Sequence, residues 1–472
     1  MSVKQLTFNT LVYAIGPQIP KLVSVLILPF ITPYLTPNDY GVYGTILAYT
    51  TAITSLKDLG LTTVLSVSFY KFENRYRFIW NKIFSITSIW AIPLSLLLAI
   101  ILWIVIPVNE MHNYIPIVIC TCIPLLIFEP TKWIGRKYFQ LIQKPLPIVI
   151  INGIAAILGI LSNYLTIKVL GFGYLGWFIA AFIISFVSFL PYLWAILKIV
   201  KIKYDFKINK KWIYRYLAIG IPVLPHAYSV YLLDTSDRLL LNWFNVSISD
   251  IGIYSLAYGL GGYFAIVGNA LGEAAGPMYI KLFKKESIKD EIRVRNLTFL
   301  MQGFTLMLAF IISVWAKEWF ELLIKNDALQ FGYVITIVII MSYSYRPISF
   351  GPINKLQYLY KTKVLWKISF MAGIVNVILN IALIPLFGIW GSVIATFMSL
   401  MFLGFRGYWL KDFKENNQVN YYPFFWLITI CLLTICVFLI KDISVIYKIL
   451  ITVILILISV ICAKKFKHLL IF

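Results

Sequence analysis

The sequence predicts an all-α polytopic membrane protein with about fourteen transmembrane helices. Three observations predict it. Hydrophobic residues make up 61% and charged residues 13% of the 472 residues, with a mean hydropathy of +0.87; soluble domains run near 45–50% apolar and about 25% charged. Membrane-length apolar segments recur along the whole chain with short gaps between them. Lys and Arg collect in alternate gaps.

A helix needs about 20 apolar residues to cross a core roughly 30 Å thick. That template places segments near 9–35, 40–68, 83–106, 114–135, 146–168, 173–197, 216–243, 250–280, 296–316, 330–353, 364–386, 388–408, 421–440 and 445–463. MSVKQLTFNT runs into the first segment with no small-residue cleavage site, so that segment is expected to be a retained helix. The gaps leave no room for a folded catalytic unit outside the membrane.

Charge placement sets the orientation. The stretches 1–8, 69–82, 131–145, 198–215, 281–295, 346–367, 406–414 and 464–472 hold 33 of the 41 Lys and Arg residues, while outer loops such as 107–113, 244–249 and 387 are nearly free of positive charge. Both termini are therefore expected in the cytoplasm. The net charge of +22 is explained by a cytoplasmic rim facing anionic lipid head groups, and no nucleic-acid partner is expected.

The chain repeats itself. Gly16-Pro17-Gln18-Ile19-Pro20-Lys21 returns as Gly220-Ile221-Pro222-Val223-Leu224-Pro225-His226. Asp39-Tyr40-Gly41-Val42-Tyr43 returns as Asp250-Ile251-Gly252-Ile253-Tyr254, Leu59-Gly60 as Leu271-Gly272, and Gly173-Tyr174-Leu175-Gly176 as Gly388-Ile389-Trp390-Gly391. Six helices return the chain to the side it started from, so the copies are parallel repeats. The expected organisation is an N-terminal lobe over 1–205, a C-terminal lobe over 206–415, and an appended helix pair over 416–472.

Ionisable side chains inside helices are costly in lipid and point to a cavity, a partner or a pathway. At about 1.5 Å per residue, Lys21 and His226 lie near the midplane at equivalent positions of the two halves, each just after a proline step. With Arg346 they suit a central basic cavity for an anion such as a pyrophosphate; the plain alternatives are a snorkelling or paired lysine and a hydrogen-bonded core histidine. Asp234, Asp237 and Arg238 fall within about 100° on one helix face, as a closing ion pair or an outer gate. Glu129-Pro130 and Arg346-Pro347 match across the repeat, which suits either an inter-lobe bridge or separate local partners. Asp58, Glu129 and Glu273 are the acids expected to serve H+ or Na+ coupling. The aromatics read mainly as interfacial belts and packing, although Tyr254, Tyr258, Tyr343 and Tyr345 could stack on sugar rings. Five cysteines in apolar runs and three scattered histidines give no metal-ligand spacing, so no metal and no cofactor beyond a coupling ion is expected. No nucleophile–base arrangement or phosphate loop suggests an enzyme.

Thr235-Ser236-Asp237-Arg238, Leu239 to Leu241, Gly252-Ile253-Tyr254 and Ala257-Tyr258 resemble the start of the second half in bacterial polysaccharide repeat-unit flippases. These are the Wzx-type transporters of O-antigen and capsule units, in the MOP superfamily with multidrug and toxic-compound (MATE) exporters and lipid II flippases. Asp39 to Tyr43 and Asp58-Leu59-Gly60-Leu61 are similar to the first-half features. The resemblance implies a two-lobed MATE-like fold in the bacterial plasma membrane that works by alternating access. Its expected substrate is an undecaprenyl-pyrophosphate-linked oligosaccharide, its surroundings membrane lipids, and its partners a polysaccharide polymerase and a chain-length regulator. A cation-coupled small-molecule exporter of the same superfamily ranks second, because a drug cavity would be dominated by acids. A membrane polymerase or glycosyltransferase ranks third, because the outer loops are short.

Overall fold

A computed structural model describes residues 24–72, 75–205, 207, 210–285 and 287–466. Among them every regular element is helical. Eleven helices are long and apolar enough to cross a membrane, and two shorter apolar helices, Ser24–Tyr34 (α1) and Val445–Ser459, accompany them. Fourteen were expected, and the difference has local causes. The first segment begins outside the described residues. The second is broken into Pro37–Thr54 (α2) and Thr62–Lys71 (α3) by Leu59 and Gly60, both at positive φ (50° and 69°). The last is the helix Val445–Phe466, of which the apolar run Val445–Ser459 is described with its side chains.

The long helices follow the expected segments in order. They are Tyr76–Val105 (α4), Val108–Leu141 (α5), Pro145–Val169 (α6), Leu175–Val200 (α7) and Lys210–Asp234 (α8). After the short Ser236–Trp243 (α9) come Ile248–Phe283 (α10) and Ile288–Val314 (α11). Ala316–Leu323 (α12) leads to Asp327–Tyr358 (α13), Val364–Phe387 (α14), Ile389–Trp409 (α15), Pro423–Ile440 (α16) and Val445–Phe466 (α17). Mean hydropathy in their most apolar windows runs from 1.4 to 2.6, so desolvation in lipid favours a backbone that satisfies its own hydrogen bonds.

The repeated Asp-x-Gly turn has a definite job at helix starts. Thr36 and Asp39 form a capping box at α2, with Asp39 Oδ2 accepting the Thr36 N–H at 2.7 Å and the Asp39 N–H donating to Thr36 Oγ1 at 3.2 Å. At α10 the Asp250 N–H donates to Ser247 Oγ at 3.1 Å and the Ser247 hydroxyl donates to Asp250 Oδ2 at 2.7 Å. Both arrangements satisfy an amide that a helix start leaves without a partner, and the box at α2 satisfies two.

The chain divides into two compact units, Met1–Tyr231 with Ser247–Gly252, and Leu232–Val246 with Ile253–Phe472. The division falls inside the seventh expected segment. In the first unit one core joins Leu61, just before α3, with Leu65, Trp80, Ile83, Ile134 and Ile196 from α3, α4, α5 and α7. Another joins Val42, Ile46, Leu98, Leu102, Ile117 and Phe178. In the second unit Phe310, Val314, Ile337 and Val437 seat α16 against α11 and α13. The appended α17 is fixed there by a buried pair: Lys448, 0% exposed, donates to both Glu318 oxygens at 2.7 and 2.9 Å. Trp315 Nε1 donates to Thr452 Oγ1 one turn along the same helix.

Candidate functional site

Among the described residues, two polar clusters hold most of the charged residues that the sequence singles out, one in each unit. In the first unit α5 is interrupted by a π turn at Pro124–Phe128 just before Glu129-Pro130. Both prolines lack a donor, so the regular helix ladder is loosened there. Glu129 takes Lys57 on one carboxylate oxygen and Lys132 on the other, the second at 2.7 Å. Lys132 also donates to Ser185 Oγ of α7 at 2.9 Å. Asp58, next to Lys57, turns away to accept the Gly60 N–H at 3.1 Å and the Thr62 hydroxyl at 2.9 Å, which ties down the turn before α3. Trp133 Nε1 closes on the same hydroxyl at 3.0 Å.

The second unit carries a denser polar centre. Asp237 is 0% exposed on α9. Its Oδ2 accepts the Tyr254 hydroxyl at 2.5 Å and the Thr396 hydroxyl at 2.9 Å, and its Oδ1 accepts Asn380 Nδ2 at 2.8 Å. Asn380 Oδ1 in turn accepts the Ser392 hydroxyl at 2.6 Å. Asn376 and Asn380 lie four apart on α14, as do Ser392 and Thr396 on α15, so each pair shares a helix face. Turned to donate, the Asn376 amide nitrogen lies 2.8 Å from Asp237 Oδ1 and 3.0 Å from the Leu232 carbonyl. The centre is thus a fully buried carboxylate held by hydroxyl and amide donors from three other helices.

Asp234 and Arg238 flank this centre. The helix breaks at Thr235, so Asp234 faces the hydroxyls of Tyr258 and Tyr343, each at 3.4 Å, rather than sharing the surroundings of Asp237. Arg238 makes no salt bridge to either acid among the described residues; it donates to the Asp234 carbonyl at 3.0 Å and lies over the Tyr258 ring at 4.7 Å. Arg346 donates to Asn269 Oδ1 at 2.6 Å and lies 5.4 Å from the Tyr343 ring centre. Tyr254, Tyr258, Tyr343 and Tyr345 are all buried within this unit.

Of the remaining expected residues, Glu273 is exposed on α10 and His226 is exposed on α8. Lys21 lies outside the described residues. Among the described residues no group of three His, Cys, Asp or Glu side chains could hold a metal ion. Asn376, Asn380, Ser392 and Thr396 were missed by sequence reasoning directed at charge. Polar residues at four-residue spacing inside otherwise apolar helices were the available signal.

Known proteins match this chain at two levels. The family described as polysaccharide biosynthesis protein matches residues 6–283. A probable flippase, AglR, of Haloferax volcanii is 24% identical over 169 residues, covering 35% of each chain, so this chain spans about a third of the length of the curated relative it matches. The fold is similar to the lipid II flippase MurJ in an inward closed conformation, with a TM-score of 0.65 and 14% identity over 93% of this chain and 100% of the other. It is also similar to the inward-facing conformation of a multidrug resistance MATE family transporter of the MOP superfamily, with a TM-score of 0.58 and 13% identity over 90% of this chain and 98% of the other. The helical bundle with its break at Leu59–Gly60 is therefore a MATE- and MurJ-like fold, and the chain belongs to the polysaccharide biosynthesis protein family.

Proposed function

We propose that this chain is a flippase that carries undecaprenyl-pyrophosphate-linked oligosaccharide repeat units from the cytoplasmic to the outer leaflet of a bacterial plasma membrane. The units would serve O-antigen, capsule or a related surface polysaccharide. The observation that carries this reading is membership in the polysaccharide biosynthesis family over residues 6–283 by a chain built from membrane-length helices. The charge asymmetry of the loops supports cytoplasmic termini. Lys21, His226 and Arg346 remain the proposed contacts to the pyrophosphate, and Glu129 with Asp234, Asp237 and Arg238 the groups that change partners during alternating access. A polysaccharide polymerase and a chain-length regulator are the proposed partners.

Coupling is proposed at Asp237. Glu129 is held by two lysines, and Asp58 is committed to the turn before α3. Asp237 instead is a fully buried carboxylate that accepts from the Tyr254 and Thr396 hydroxyls and from Asn380 Nδ2, with no lysine or arginine ion pair among the described residues, and it is proposed to exchange these donors for a proton or a sodium ion. A cation that binds one conformation more tightly than the other shifts the equilibrium between them by that difference in affinity.

The test is lipid extraction from a strain lacking the gene. Accumulation of polyprenyl-pyrophosphate-linked oligosaccharide with loss of surface polysaccharide, reversed by the wild-type gene, is the expected result. Unchanged lipid intermediates together with raised drug sensitivity would overturn the flippase in favour of a small-molecule exporter.

A further inference from the structure

A second basic site lies wholly within the first unit, and it shares no residue with the proposed pyrophosphate contacts. A cavity of about 240 Å³ opens among α1, α5, α6 and α7. That is far larger than the share of a single water, about 30 Å³, and just below the roughly 300 Å³ at which pockets for drug-sized ligands begin. Small residues make the space: Ala155, Ala156 and Gly159 take the stretch of α6 where larger side chains would fill it.

Its lining is polar and cationic. Lys132 and Arg136, four apart on α5, present two positive charges on one face. Glu129 neutralises one charge of the Lys57–Lys132 pair, and no carboxylate pairs with Arg136 among the described residues. Lys132 spends two N–H donors on Glu129 and Ser185 and keeps a third. Asn152 and Asn163, eleven residues apart on α6, mark roughly 16 Å of the cavity wall along the helix.

Asn163 Oδ1 is buried there without a hydrogen-bond partner, and the Tyr192 hydroxyl, set against the Arg136 guanidinium, has its O–H uncommitted. Tyr192 is 1% exposed on α7, and the Arg136 guanidinium lies within electrostatic reach of its hydroxyl. A buried polar atom left unpaired is destabilising, and a native structure usually pairs it with water or a ligand. An ammonium, a guanidinium and a hydroxyl donor around a headgroup-sized space match the needs of a phosphate-class anion.

We propose that this cavity binds a phosphate-class anion through Arg136, Lys132 and Tyr192. The same chemistry is offered by the phosphate of an anionic membrane lipid and by free inorganic phosphate or pyrophosphate.

The experiment uses the purified full chain. Thermal unfolding is followed with inorganic phosphate and pyrophosphate at constant ionic strength, with chloride as control. In parallel, the chain is placed in bilayers of phosphatidylcholine with and without phosphatidylglycerol. Stabilisation by the free anions identifies a soluble ligand, and stabilisation by phosphatidylglycerol alone identifies a lipid headgroup; either supports the site. Arg136→Gln should weaken the responding ligand roughly tenfold to a hundredfold, as expected on losing a charged hydrogen-bond donor, and Arg136→Lys should retain part of the affinity. Ala156→Leu fills the cavity without touching a charge, and it should abolish the response even if Arg136→Gln fails to fold. No response to any of the anions, or wild-type binding by Arg136→Lys and Ala156→Leu, overturns the proposal. Because the readout is binding and not transport, its failure leaves the flippase reading untouched.

Discussion

Gly41 and Gly252, partners in the sequence repeat, stand at one crossing point of α2 and α10. A Cβ on Gly41 would fall 1.8 Å from the Ile248 carbonyl oxygen, and one on Gly252 would fall 1.8 Å from the Pro37 carbonyl oxygen. The obstacle in both cases is backbone, which cannot rotate aside. Gly41→Ala should therefore cost at least the upper end of the overpacking range, about 3 kcal/mol. Gly153→Ala is the control, since its Cβ meets nothing within 4 Å; it should stabilise α6 by up to about 1 kcal/mol through helix propensity. Thermal unfolding in detergent separates the two, and equal midpoints would refute the close crossing.

The Asp237 centre makes a prediction about ions. Sodium should raise the unfolding midpoint of the wild type as its concentration passes the dissociation constant, by mass action on the folded state. Asp237→Asn should lose that response and reduce transport about tenfold or more, since each charge-assisted bond it weakens is worth roughly 1.5–3 kcal/mol. A sodium response that survives in Asp237→Asn would place the coupling cation elsewhere.

Lys21 supplies a separate test of the transport path. Lys21→Ala should impair flipping while Lys21→Arg keeps part of it, because charge and reach both matter at a phosphate. Accumulated lipid-linked intermediate in cells expressing each variant at equal level is the readout. Normal transport by Lys21→Ala would remove this residue from the substrate path.

Removing Glu129 leaves Lys57 and Lys132 facing one another. Glu129→Gln should destabilise by about 1–3 kcal/mol, less than for a fully buried pair because the carboxylate is partly exposed. Adding Lys57→Met should recover part of that loss, which a double-mutant cycle on unfolding midpoints would detect. Strict additivity would mean that the two side chains do not interact.

The link between α4 and the segment after α7 should respond to pH. The Lys82 ammonium, 3.0 Å from Asp205, holds that carboxyl below the ordinary carboxylate value, with the Lys207 N–H adding to the effect. A depressed folded value means the stabilisation is present above the unfolded value of about 3.9 and is lost as pH falls through the folded one. Hydrogen exchange in residues 201–205 should rise over that acid window in the wild type and be flat in Asp205→Asn. The same pH profile in both would assign the opening to another group.

By itself the sequence determined the membrane, the order of the helices and the repeat. Apolar length, the placement of Lys and Arg, and recurring Asp-x-Gly and Leu-Gly steps are local quantities that survive without coordinates. It also singled out Asp237, because a carboxylate inside an apolar helix is costly wherever it is placed. It did not separate Asp237 from Asp234, since helical spacing puts them on one face and only the break at Thr235 sends them to different partners. The tertiary structure alone decided that Glu129 answers to Lys57 and Lys132, that Asn376, Asn380 and Thr396 complete the Asp237 centre, and that Lys132 and Arg136 border a cavity. The reason is physical: helical periodicity fixes which residues share a face, whereas the neighbour of that face is set by packing between helices distant in the chain.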